Sequence, residues 1–248
     1  MKLWGWVPLV AAMCLVASPA SAQESSATKA GFAFPKEGPV RILVFRPEVR
    51  VGEQSTGGMN EPNADWTTNA RKNIAEALDK AQVARANEIK PMPELEGDDG
   101  KLLADYRALF RAVADAVVQH KLFAGNRLPT KTETFNWTLG SGVSRLGEIG
   151  GGDYGLFLFT NDSYGSAGRK AAQVVGLLFG AYIPSGVHIG YAGLVDLKTG
   201  ELVWINADVA MGGDVREVEG ATKRVGQLLE DFPVREGALP VATKTAAK

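Results

Sequence analysis

The sequence predicts an α/β fold: a single domain with a mixed β-sheet, a C-terminal antiparallel hairpin and a cover of helices. Three observations predict it. Strand-like and helix-like hydrophobic periods alternate along the chain, as they do when helices must bury a stripe against a sheet. Tyr154-Gly155-Leu156-Phe157-Leu158-Phe159 is almost wholly apolar between turn residues, the pattern of a central strand covered on both faces. Two alternating segments, 187–197 and 201–209, flank Lys198-Thr199-Gly200, a tight-turn signature.

In chain order, the β-branched and aromatic run over 40–45 predicts a first strand that Pro47 stops, and the alternation over 48–52 predicts a second. Gly57-Gly58 opens a loop that closes at Pro62-Asn63. Asn63 or Asp65 then caps a helix whose inward stripe is Trp66, Ala70, Ile74, Leu78 and Ala81. Residues 85–89 form a short strand, followed by a two-proline connection. Asp98-Asp99-Gly100 starts the strongest helix, with Leu102, Tyr106, Leu109, Val113 and Val117 inward and the acidic pair at the favourable end of the dipole; it ends near Gly125-Asn126. A further helix is expected over 133–148, with Phe135, Leu139, Val143 and Leu146 inward, weakened by its glycines and closed by Gly150-Gly151-Gly152. After the 154–159 strand and a polar stretch over 160–166, residues 171–181 read as an apolar helix. The hairpin follows, then a last helix capped by Asp214, with Val218, Ala221, Val225 and Leu228 or Leu229 inward.

Charge and cysteine content narrow the function classes. The chain carries 27 Lys and Arg against 28 Asp and Glu, a net charge of -1, which gives no basic surface for nucleic acid. Residues 1–22 read as a cleavable secretory signal: Lys2, an apolar run over 3–16, Pro19, and small residues at Ala20 and Ala22, with cleavage after Ala22. The run is shorter than the ~20 residues that span a bilayer. The only cysteine, Cys14, lies inside that run after Met13, a poor setting for lipidation. The mature chain is therefore expected to lack thiol chemistry and thiolate metal sites, and to be periplasmic. The domain plan is a signal peptide over 1–22, a flexible leader over 23–37, an α/β envelope domain over 38–232, and a disordered tail over 233–248.

Three stretches carry a resemblance to bacterial envelope proteins. They are residues 41–47 with Ala64-Asp65-Trp66-Thr67, residues 153–169, and residues 193–204 with their Asp196-Leu197-Lys198-Thr199-Gly200 turn and Val203-Trp204. Together they resemble the domain shared by the TolB amino-terminal part, the curli-secretion lipoprotein and the lipoprotein activators of penicillin-binding proteins. The resemblance implies a compact sheet covered by helices, used for binding or assembly.

No catalytic set and no cofactor motif is readable. His120 and His188 sit on distant elements without an acidic spacing partner, so no metal site is expected. His120 reads as a partly buried histidine or one near a helix C-terminus, His188 as facing solvent or a polar edge. Gly150-Gly151-Gly152 precedes a strand, the wrong order for a phosphate loop. Two candidates remain. Asp162, Ser163, Tyr164 and Arg169 follow the central strand, where α/β sheets bind ligands, and could hold a small anion or peptide, or serve a hydrolase; the competing reading is a turn with a helix cap. The apolar 171–181 helix, with Gly176 and Gly180 four apart, is either packed tightly on the sheet or a partner interface through Val175, Leu178 and Phe179. The expectation is an exported envelope protein with a non-enzymatic binding or assembly role. Its partners would be an envelope protein or a second copy, with peripheral membrane contact and no nucleic acid; the alternative is a small-molecule-binding protein or hydrolase using 162–169.

Overall fold

The computed structural model describes residues 24–83, 88–131 and 133–235. The predicted signal peptide lies outside these residues, as does most of the C-terminal tail. The fold is the expected α/β type: one mixed sheet of eight strands between two layers of helices.

The strands are β1 (Glu24–Thr28), β2 (Arg41–Val44), β3 (Glu48–Gln54), β4 (Asn60–Pro62), β5 (Glu88–Pro91), β6 (Tyr154–Gly165), β7 (Gly186–Asp196) and β8 (Leu202–Asp208). The helices are α1 (Ala64–Val83), α2 (Gly97–Val117), α3 (Ser144–Gly150), α4 (Ala167–Leu178) and α5 (Val218–Leu228). The sheet order is β1-β8-β7-β6-β2-β5. β6 is the spine. Its first residues pair in parallel with β2, from Ile42↔Tyr154 to Val44↔Leu156, and its remainder pairs in parallel with β3, from Glu48↔Phe159 to Gln54↔Gly165. Pro47, which has no N–H to donate, sits where β2 gives way to β3 along that edge. On the other side β6 runs antiparallel to β7 over its whole length, and β7 to β8.

Both faces of the sheet are covered, so its strands read as continuous apolar runs. Ile42, Val44, Leu156, Leu158 and Trp204 pack with Ala70, Ile74 and Leu78 of α1 and Ala221, Val225 and Leu228 of α5. Leu43, Phe45, Phe157, Phe159 and Ile205 pack on the opposite face with Phe110, Ala114 and Val117 of α2 and Leu146 of α3. Phe157 is stacked between Phe45 at 4.0 Å and Phe110 at 4.5 Å between centroids. Asn63 caps α1, its Oδ1 accepting from Trp66 N at 3.0 Å.

The structure departs from the sequence expectations in identifiable places. Glu24–Thr28, expected as flexible leader, is an edge strand antiparallel to β8. Its small polar residues carry no hydrophobic period, but its backbone completes the β8 ladder. The polar residues after 159, expected as a loop, continue β6 to Gly165 because β3 and β7 flank them on both sides. The helix expected over 133–148 is reduced to α3, preceded by a 3₁₀ turn at Ser141–Val143. Gly140 at φ +78° breaks it, and the chain before it pairs with the hairpin turn, Leu139 N donating to Gly200 O and Leu202 N to Trp137 O. The side chains expected inward from that helix still face the core, with Leu139, Val143 and Leu146 buried. In α2 the inward stripe runs through Phe110, while Leu109 is exposed. Asp214 caps a turn ahead of α5 rather than the helix itself, and Val218 is exposed.

Candidate functional site

The four polar residues expected to bind a ligand are spent on the fold itself. All but Arg169 lie in β6. Ser163 is buried and its Oγ accepts from Val187 N at 3.0 Å. Tyr164 Oη accepts from Val215 N at 3.1 Å, and the Arg216 guanidinium lies 3.8 Å from the centre of its ring. Arg169 is buried and donates from Nε to Pro184 O at 2.8 Å. Asp162 is fully buried.

Asp162 instead centres a network with residues the sequence reading missed. Thr160 sits two positions earlier on the same face of β6, and Arg224 sits among the apolar residues of α5. The Arg224 guanidinium forks onto the carboxylate, Nη1 to Oδ2 and Nη2 to Oδ1, both at 2.8 Å. Its other donors reach Thr160 Oγ1, Gly212 O and Gly213 O, so all five N–H groups are used. His188 Nδ1 lies 2.8 Å from Asp162 Oδ1. Burial pushes the Asp162 carboxyl up, but hydrogen bonds from His188, Arg224 and Thr160 and the charge of Arg224 outweigh it and hold it below its ordinary value. The signal for this network was an arginine at 224 on the inward stripe of α5, between Ala221 and Val225. His188, expected to face solvent or a polar edge, is drawn to Asp162 because the register of β6 and β7 places the two opposite each other. Its ring also lies 4.9 Å from that of Tyr164, centroid to centroid. His120 lies in a π turn that extends α2, its Nδ1 3.1 Å from Asn126 O. Among the described residues no three His, Cys, Asp or Glu side chains are grouped to hold a metal.

The second candidate is different in kind. β6 and β7 form a hairpin whose tip, instead of a tight turn, is α4 and its return segment. Ser166 caps α4, its Oγ accepting from Arg169 N at 3.2 Å. Gly180 at φ +74° ends it, with Ala181 N bonded back to Gly176 O. Tight packing of this helix on the sheet is not what the structure shows. Its inward stripe is Arg169, Gln173 and Gly176, spaced four and three apart. Arg169 and Gln173 donate to the return carbonyls of Pro184 and Ile183, and Gly176 abuts Ile183. Its outward side is Val174, Val175, Leu177 and Leu178, continued by Phe179 and Tyr182. Leu178 is 79% exposed, Phe179 84% and Tyr182 83%. The helix is thus inside out, polar and small residues inward, apolar ones in water. Val175, Leu178 and Phe179, the expected interface residues, all lie on this surface. No Asp or Glu occurs from residue 163 through 195, and Lys170 is exposed near the start of the helix. Among the described residues no helix is long and apolar enough to cross a membrane.

No family model and no curated protein matches the chain. Solved structures with a similar trace include two PelC dodecamers from Paraburkholderia phytofirmans, one of them a point variant. They are 12% and 11% identical, cover 86% of this chain and 99% and 98% of their own, and give TM-scores of 0.38 and 0.39.

Proposed function

We propose that this protein is an exported component of the bacterial cell envelope with a non-enzymatic binding or assembly role, and that the α4 arm docks it on an anionic lipid surface. The inside-out polarity of α4 carries this reading. A contiguous apolar surface in water is uncommon on a monomer and marks an interaction site. Each large apolar side chain withdrawn from water is worth roughly 1.5–3 kcal/mol. A convex tip carrying Phe179 and Tyr182 suits the headgroup boundary of a bilayer, where aromatic side chains are favoured. The absence of carboxylates from 163 through 195 and the exposed Lys170 fit negatively charged headgroups. The short helix suits a position in the interface rather than across it. The secretory signal read in residues 1–22 and the resemblance to envelope domains support the location.

The test uses the mature chain, starting at Gln23, in flotation with vesicles of phosphatidylethanolamine and phosphatidylglycerol. The wild type is expected to float, and Leu178→Ser/Phe179→Ser to remain in solution. Vesicles of phosphatidylcholine alone should capture less. If the wild type ignores vesicles but forms an oligomer that the double variant dissociates, the occupant is a second copy and the lipid reading fails. If neither occurs, the docking role itself fails.

A further inference from the structure

A cavity of about 440 Å³ opens on the α2 side of the sheet, between the end of α2, its π turn and strands β7 and β8. It is separate from the α4 arm and from the Asp162 network. Its size is that of a small-molecule site. We propose that it binds a small organic ammonium ion, with Asp115 as the counter-charge, the Phe123 ring beside the cation and Tyr191 Oη as a further acceptor.

The charge of the wall points to a cation. Asp115 stands on the cavity wall, and among the described lining residues there is no Lys or Arg. Asp115 stands in the last turn of α2, ahead of the π turn that carries the helix on to Leu122. Nearby cations are engaged elsewhere. Arg111 reaches Asp115 only at 4.0 Å and bonds more closely to Glu48 at 3.0 Å. In the π turn, His120 faces Asn126 O and Lys121 donates to Lys131 O.

An unsatisfied group points the same way. Tyr191 lines the cavity with 5% of its surface exposed, and its buried Oη has no partner at hydrogen-bonding geometry. Burial, and after it the charge of Asp115, pushes the phenol's pKa up, so it stays neutral and can accept from an ammonium N–H. A buried polar atom left unbonded is costly, and this oxygen, beside the Asp115 carboxylate, suits a donor of positive charge. Phe123 is partly exposed at the rim, where an aromatic face attracts a cation.

The probe is benzylammonium, measured by calorimetry at low ionic strength against benzyl alcohol and benzoate, which share its ring but not its charge. Saturable binding of benzylammonium is expected, at least tenfold tighter than either control and weakened by salt. The Asp115 side chain is more than half exposed, so Asp115→Asn should keep the fold while weakening binding at least tenfold. Tyr191→Phe should weaken it several-fold, with circular dichroism confirming a native spectrum in both variants. Equal affinity for benzyl alcohol, unchanged affinity in Asp115→Asn, or no saturable binding at millimolar benzylammonium would overturn the proposal. None of these outcomes depends on the α4 arm, since Leu178→Ser/Phe179→Ser should bind benzylammonium like the wild type.

Discussion

Two regions of this protein break the rule that polar groups face water and apolar groups face the core, and they break it in opposite directions. The Asp162–Arg224 network takes charges inward, where desolvation is severe. It offsets that cost completely on the arginine side, because the carboxylate, Thr160 and two carbonyls take all five guanidinium donors. The α4 arm turns apolar side chains outward and nothing among the described residues covers them. The difference teaches where to look for function. A violation that is compensated internally explains itself as structure. One left uncompensated in the free chain calls for something from outside.

The largest expected effect tests the first half of that contrast. Arg224→Met leaves the Asp162 carboxylate buried with only His188 and Thr160, and strands the carbonyls of Gly212 and Gly213. Removing one partner of a buried pair costs roughly 3–5 kcal/mol. Urea denaturation should show a loss of that order, and Asp162→Leu/Arg224→Met should recover much of it, because the second charge goes with the first. A loss under about 1 kcal/mol in the single variant would mean the network is not what holds α5 to the sheet.

How much of this was legible in the sequence depends on what each residue's signal measures. Hydrophobic period gave the cores: the β6 run, the α1 stripe and the hairpin around Thr199-Gly200 all stand where expected. Period fails where backbone pairing alone decides. Glu24–Thr28 has no apolar pattern, yet β8 offers it an open ladder. Thr160 and Asp162 are polar because they form the buried network with Arg224, and Ser163 and Tyr164 because they bond neighbouring backbone, so the polar run hid a strand. Composition identified Asp162 but assigned it to a ligand, since its partners Arg224 and His188 lie 62 and 26 positions away. For α4 the sequence marked an apolar run and left its direction open. An apolar stripe looks the same whether it faces a sheet or water, and only the inward bonds of Arg169 and Gln173 decide.

A smaller effect concerns acid. Asp162 is held below its ordinary value, and so are Asp153 beside Arg41 and Asp214 beside Arg216. A carboxyl depressed in the folded state contributes stability that is fully present above its unfolded pKa, near ~3.9, and is lost as pH falls through the lower folded value. Unfolding free energy is therefore expected to be insensitive to these groups above about pH 5 and to drop below about pH 4. Asp153 and Asp214 are partly exposed, so solvent screens their pairs, and Asp153→Asn/Asp214→Asn should retain most of the acid sensitivity. If that double variant abolished it, the buried network would not be the acid-labile element, and the contrast with α4 would lose one of its terms.

The smallest expected effect is the most discriminating. If α4 is an unused surface in the free chain, removing its apolar side chains costs the fold almost nothing. Leu178 and Phe179 make their contacts chiefly with water, so Leu178→Ser/Phe179→Ser should change unfolding free energy by no more than about 0.5 kcal/mol, the range of ordinary surface substitutions. Gln173→Ala is the internal control. It removes the bond to Ile183 O on the inward stripe, a hydrogen bond worth roughly 0.5–1.5 kcal/mol, and leaves the apolar surface unchanged. Its effect should fall on stability or on the exchange rate of α4 amides. A double variant that lost several kcal/mol would show that the two side chains are covered in solution by this chain or by another copy. Ageing of the apolar surface into an oligomer would then appear as a concentration-dependent midpoint. An unchanged midpoint together with lost flotation would separate the arm's two properties, since it would be dispensable to the fold and required for docking.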